Sequence, residues 1–93
     1  MTRMPQMSDL KLDGNAIGGL LGEIFNLEMT SAESTCGGCG TVNAVGRVDV
    51  YLNAPGAVVR CPACEQVLMR IVHGPGRYWI DLSGIRCLEL VES

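Results

Sequence analysis

Five cysteines in a chain of 93 residues are the first feature with chemistry in it, and four of them are paired. Cys36-Gly-Gly-Cys39-Gly40 and Cys61-Pro-Ala-Cys64-Glu65 are two C-x2-C turns with 21 residues between them. Such a turn places two sulfurs on one side of a tight loop, where both reach a single ion. A second turn completes a tetrahedron of thiolates about 2.3 Å from a zinc ion. Cys36, Cys39, Cys61 and Cys64 are therefore expected to hold one structural Zn²⁺ per chain. Four protein sulfurs leave no coordination position for water, so the chain is not expected to be an enzyme. Iron is the main rival, because four thiolates suit Fe as well as Zn. A redox C-x2-C asks for a βαβ setting that is not visible here, and an odd cysteine count fits poorly with disulfides.

Cys87 and His73 are left over. Cys87 stands between Arg86 and Leu88 in a strand-like segment and is expected to be a small buried hydrophobe. The alternative is a reactive thiol activated by a neighbouring arginine. His73 precedes Gly74 at the edge of a turn and is expected to be exposed, since four better ligands already exist.

The elements that must carry these residues follow from periodicity. Ile17, Leu20, Leu21, Ile24 and Phe25 repeat at helical spacing, so one amphipathic helix is expected over about 14–27, with Asp13 as its N-cap. Asn15, Gly19, Glu23 and Asn26 would share the opposite side. Gly14, Gly18 and Gly22 recur every four residues along one flank, and each interior glycine costs about 1 kcal/mol against alanine. Packing must hold such a helix, either close approach to the chain's own sheet or a seat for another chain's helix. From Arg47 the period becomes two. Strands are expected at 47–52, 57–60, 66–72, 77–82 and 85–90, with turns at Ala54-Pro55-Gly56, Gly74-Pro75-Gly76 and Ser83-Gly84. The hairpin 47–60 would bring the two C-x2-C turns side by side. The fold class is thus small α+β, one helix and then an antiparallel sheet, in a single domain over 11–93 after a flexible tail at 1–10.

Composition limits the core and the partners. There are only four aromatic residues, Phe25, Tyr51, Tyr78 and Trp79. A chain of this length buries only roughly 60–65 % of its unfolded surface, so a metal would supply needed stability. The formal charge of −3 resides in residues 1–35, where Arg3 and Lys11 face Asp9, Asp13, Glu23, Glu28 and Glu33. That balance opposes nonspecific nucleic-acid binding, although a local patch of Arg47, Arg60, Arg70, Arg77 and Arg86 could contact phosphate. No stretch has the roughly 20 apolar residues of a membrane span. Residues 1–10 contain no apolar signal region, which points to the reducing cytoplasm.

The motif Cys36-x2-Cys39-Gly40 … Cys61-Pro62-x-Cys64 resembles the knuckle–hairpin–knuckle core of the zinc-ribbon superfamily, and its turn chemistry is also similar to that of rubredoxins. Glu65 departs from it: glycine often follows the second cysteine of a knuckle and tolerates positive φ there, so strain is expected at Glu65. Residues 12–90 also resemble a family of short, uncharacterised actinobacterial zinc-ribbon proteins classed as a domain of unknown function. Leu12-Asp13-Gly14-Asn15-Ala16, Glu23-Ile24-Phe25, both knuckles, Ala54-Pro55-Gly56, Arg60-Cys61-Pro62 and Asp81 to Leu90 carry that resemblance. It implies the fold and the metal but no activity. The frequent neighbourhood of such genes with molybdopterin- and flavin-dependent oxidoreductases implies an accessory role.

Strand alternation sets Tyr78, Ile80 and Leu82 on one face and Arg77, Trp79 and Asp81 on the other. If the helix covers the first face, Trp79 is displayed with Arg77, near Tyr51 and Arg47, as an interaction surface of the kind rich in hot spots. Otherwise Trp79 packs beneath the helix as core. Three functional classes follow: a protein-interaction or accessory module, a nucleic-acid-binding zinc ribbon, and an iron-binding or redox-responsive protein.

Overall fold

The computed structural model describes residues 11–53 and 56–90. The expected tail at 1–10 and residues Ala54 and Pro55 of the expected turn lie outside them. Asp13 opens the helical region as its N-cap, and its carboxylate accepts a hydrogen bond from the Asn15 N–H. The first turn, Gly14–Ile17, is a 3₁₀ turn, and α1 proper spans only Gly18–Phe25. Asn26 ends it at φ 55°, a left-handed conformation that asparagine tolerates. The amphipathic reading holds. Ile17 and Leu21 are fully buried, Leu20, Ile24 and Phe25 lie half-buried against the core, and Asn15, Gly19, Glu23 and Asn26 are exposed.

The glycines approach a different neighbour from the expected sheet. A Cβ on Gly14 would collide with the Val45 carbonyl oxygen, and one on Gly18 would come within 2.8 Å of the Thr30 methyl. Gly14 is therefore small so that the first 3₁₀ turn can lie against a second one, Val45–Arg47. The loop between them is fixed by Glu28, whose carboxylate accepts from the backbone N–H and hydroxyl of both Thr30 and Ser31. Those bonds, the Thr30 hydroxyl's first, hold the Glu28 carboxyl down to about 2.

Among the described residues, eight strands form two sheets. The larger has the order β1-β4-β5-β6-β7, with β1 Leu12–Asp13, β4 Asp49–Asn53, β5 Gly56–Arg60, β6 Val67–Gly74 and β7 Arg77–Asp81. The smaller has the order β3-β2-β8, with β2 Glu33–Cys36, β3 Val42–Ala44 and β8 Ile85–Glu89. Every pairing is antiparallel. One sheet was the expectation, and the difference lies in β8. Instead of extending the β6–β7 hairpin it crosses to β2, pairing Thr35 with Cys87 and Ser34 with Leu88. Ser83-Gly84 is the crossing point: the Gly84 N–H donates to the Leu68 carbonyl at 3.2 Å, and the Gly84 carbonyl accepts from the Gly37 N–H at 2.9 Å.

The core lies on one face of the larger sheet. Val50, Ala57, Val59, Met69 and Ile71 supply the strand side, and Ile17, Leu21, Met29, Ala32, Val45 and Val48 cover them. Burying a side chain such as Leu21 fully is worth about 1.5–3 kcal/mol. Cys36 and Cys61 are members of this same core.

Candidate metal centre

Cys36 ends β2, and Cys61 follows β5 directly, so each C-x2-C turn grows from the end of a paired strand. The two turns repeat one pattern of bonds. The Cys36 N–H donates to the Thr41 carbonyl and the Gly40 N–H to the Cys36 carbonyl, both at 2.9 Å. In the second turn the Cys61 N–H donates to the Gln66 carbonyl at 2.9 Å and the Glu65 N–H to the Cys61 carbonyl at 2.8 Å. The sulfurs are held alike as well. The Gly38 N–H points at Cys36 Sγ at 3.3 Å, and the Ala63 N–H at Cys61 Sγ at 3.4 Å. Each turn needs a left-handed residue after its second cysteine, Gly40 at φ 76° and Glu65 at φ 65°. The expected strain at Glu65 is thus present. Its carbonyl is anchored from outside by Arg60 Nη1 at 2.9 Å.

These turns bring all four sulfurs within 4.8 Å of one another. Cys36 Sγ lies 3.6 Å from Cys64 Sγ, and Cys39 Sγ lies 3.7 Å from Cys61 Sγ. A tetrahedron with metal–sulfur bonds of about 2.3 Å has edges of about 3.8 Å, so the cluster has the dimensions of a four-thiolate site that could hold one metal ion. Cys36 and Cys61 are rooted in the core, and Cys39 and Cys64 close the site from the exposed side. Cys36, Cys39 and Cys64 do not titrate alike. The Thr41 hydroxyl, 3.1 Å from Cys39 Sγ, brings Cys39 down to about 6, and the Cys39 N–H lowers Cys36. Cys64 is pushed up to about 12: the Gln66 N–H favours its thiolate, but desolvation and the three neighbouring sulfurs outweigh it. Four negative sulfurs this close resist forming together unaided. A divalent cation removes that resistance, and its binding releases protons.

Thr41 and Gln66 are parts of this centre that the cysteine spacing alone does not name. Each stands two residues beyond the second cysteine of its turn, and that shared offset is the signal that could have found them. Gln66 also reaches the Gly84 carbonyl with Nε2 at 3.4 Å, linking the second turn to the crossing point.

Other candidate residues are dispersed. Cys87 is exposed on β8, so the expectation that it is buried is corrected: it stands opposite Thr35, whereas its neighbour Leu88, opposite the buried Ser34, is the residue that packs against the core. His73 is exposed as expected and stacks on Tyr78 with ring centroids 4.3 Å apart. Tyr78 shares a strand face with Ile80, yet is itself exposed, because the end of the hairpin runs past the core. Trp79 is 54 % exposed, with the Arg77 guanidinium 5.9 Å from its ring centroid. Tyr51 lies on the same outer sheet face, three strands away on β4. Arg47 does not join them in a strand, since it closes the 3₁₀ turn Val45–Arg47. The five arginines likewise form no single patch: Arg86 belongs to the smaller sheet, while Arg60 and Arg70 are registered against Asp49 and Asp81.

Fold and centre together define a small α+β domain built around two cysteine knuckles. The chain belongs to a family of unknown function, DUF6510, whose model it matches over residues 6–93. No curated protein and no solved structure matches it. No helix among the described residues is long and apolar enough to cross a membrane.

Proposed function

We propose that this protein is a zinc ribbon in which Cys36, Cys39, Cys61 and Cys64 hold one structural Zn²⁺, and that it serves as a non-enzymatic protein-interaction or accessory module. One observation carries the first half: two C-x2-C turns with the same bond pattern present four sulfurs at tetrahedral spacing. With all four positions filled by sulfur, the ion has no site for water and acts on folding. The second half rests on the outer face of the larger sheet, where Trp79, Arg77 and Val72 stand exposed. On that face Arg60 stands opposite Asp49 and Arg70 opposite Asp81, which offsets two of its three arginines and disfavours phosphate as its ligand. An assembly factor or small subunit of an oxidoreductase is one role of this class.

Elemental analysis and a visible spectrum of the purified protein test the metal. The expected result is one zinc per chain and no colour. An iron stoichiometry near one, with thiolate-to-iron charge-transfer bands, would overturn it in favour of a rubredoxin-like centre. Trp79→Ala tests the surface. Because more than half of the side chain is already in water, the variant should keep its metal and lose no more than about 1 kcal/mol of stability. Proteins that co-purify with the wild type from the native host should be depleted, and a loss of about 3–5 kcal/mol would instead mark Trp79 as core.

A further inference from the structure

β7 closes one side of the larger sheet, and among the described residues no backbone group bonds to its outer edge. The hairpin fixes which groups that edge offers. Gly74 and Arg77 flank the two-residue turn Pro75-Gly76 and are register partners, so they exchange both ladder hydrogen bonds. Alternation from that pair aims the N–H and C=O of Arg77, Trp79 and Asp81 at β6, and those of Tyr78 and Ile80 outward. Exposed edges are ordinarily blunted by proline, lysine, a bulge or a covering element. β7 reads Arg-Tyr-Trp-Ile-Asp, with no proline, lysine, bulge or covering element among the described residues; its two charges, Arg77 and Asp81, are opposite in sign and sit at its ends, and Tyr78 is 36 % and Trp79 54 % exposed between them.

We propose that this edge pairs with the same edge of a second copy of the chain, antiparallel about a two-fold axis at Trp79. The strand is complementary to itself in that arrangement. Arg77 falls opposite Asp81 of the second copy, Tyr78 opposite Ile80, and Trp79 opposite Trp79. The same register joins the outward groups, with Tyr78 and Ile80 of the other copy as the hydrogen-bonded pair and the two Trp79 residues as the closer non-bonded pair. Centring the axis on Tyr78 or Ile80 also aligns the outward groups but pairs neither charge, so charge selects the register. On the outer face, Arg70, Asp81 and Arg77 of the second copy then stand in one row, because Arg70 is already the partner of Asp81 within the chain. Val72 and Trp79, also register partners, form the next row with their copies. The product is a ten-stranded sheet closed by an isologous interface. This deepens the outer-face reading above, since pairing doubles the exposed Trp79–Val72 patch, and it is independent of which metal the cysteines hold.

Sedimentation equilibrium of the metal-loaded, full-length chain, from about 1 µM to about 500 µM, tests the proposal, with dimer expected across the upper part of this range. Arg77→Asp should weaken the dimer about tenfold or more by setting like charges opposite each other twice, and Asp81→Arg should do the same. The double variant Arg77→Asp/Asp81→Arg should return the affinity to within about threefold of wild type. Tyr78→Pro removes an outward N–H that makes no bond to β6, and should give a folded monomer. If that variant does not fold, the charge exchange alone decides. A wild type that is monomeric throughout, or a dimer indifferent to the single charge reversals, overturns the pairing. A monomeric chain whose co-purifying partners still depend on Trp79 would sink the dimer and leave the outer-face reading standing.

Discussion

Glu65 occupies a position for which its side chain has no use. At φ 65° it sits in the left-handed region, where a Cβ costs about 1–2 kcal/mol, and its one recorded bond from a neighbouring side chain is to its carbonyl. Glu65→Gly should therefore stabilise the metal-loaded protein by about 1 kcal/mol, with the Arg60 bond intact. Gly40→Ala, at φ 76° in the matching position, should destabilise it by a similar amount. Paired thermal melts check both signs. At this scale the sequence is most readable, because thiolate chemistry depends on residue type and short spacing. The four cysteines and the strain at Glu65 are local facts. The exposure of Cys87 is a tertiary one: an alternating strand buries whatever face the fold covers, and on β8 the core takes Leu88, opposite the buried Ser34, and leaves Cys87 outside.

Elements are read from the sequence in proportion to how much apolar side chain they bury. α1 and β4 to β7 carry periodic Val, Ile and Leu, and their positions follow from it. β2 and β3 do not. Glu33-Ser34-Thr35 and Val42-Asn43-Ala44 are short and mostly polar, and they are strands because β8 returns to pair with β2. The helix starts where Asp13 caps it, as expected, but its first turn is tightened to 3₁₀, a form that the contact with Val45–Arg47 sets and periodicity does not show. That contact has one sharp requirement. Gly14→Ala would drive a methyl group into the Val45 carbonyl, and neither backbone can yield without disturbing the core beside it. The expected cost is about 2–3 kcal/mol in chemical denaturation. Gly19→Ala, with open space around its Cα, should instead stabilise by about 1 kcal/mol through helix propensity.

For the molecule as a whole, the cysteine centre is where the two sheets meet. Cys36 belongs to the smaller sheet, Cys61 follows a strand of the larger one, and both sulfurs lie within the common core. An ion held there would be a cross-link between the sheets, and its binding energy would be folding energy. Cys61→Ser should thus abolish the cooperative melt, and a strong chelator should do the same to the wild type. Cys87→Ser should shift the melting temperature by no more than a degree or two, as befits an exposed residue outside the centre. A Cys61→Ser protein with near-native melting would show that the cross-link is dispensable.

The crossing of β8 to β2 also dictates an order of events during synthesis. β4, β5 and β6 and the second knuckle are neighbours in sequence and can form as soon as each emerges from the ribosome. The first knuckle is made much earlier, yet the Gly37 N–H and the open edge of β2 must wait for Gly84 and the strand after it. Until then, two thiols and an unpaired strand stand uncovered on a nascent chain, a condition in which a mispaired ion or a passing strand can be captured. A chain stalled or cleaved before Ile85 would keep both knuckles and still lack the strand that seats one of them. Quality control that recognises open sheet edges would meet this protein for as long as Ile85–Glu89 has not paired with β2.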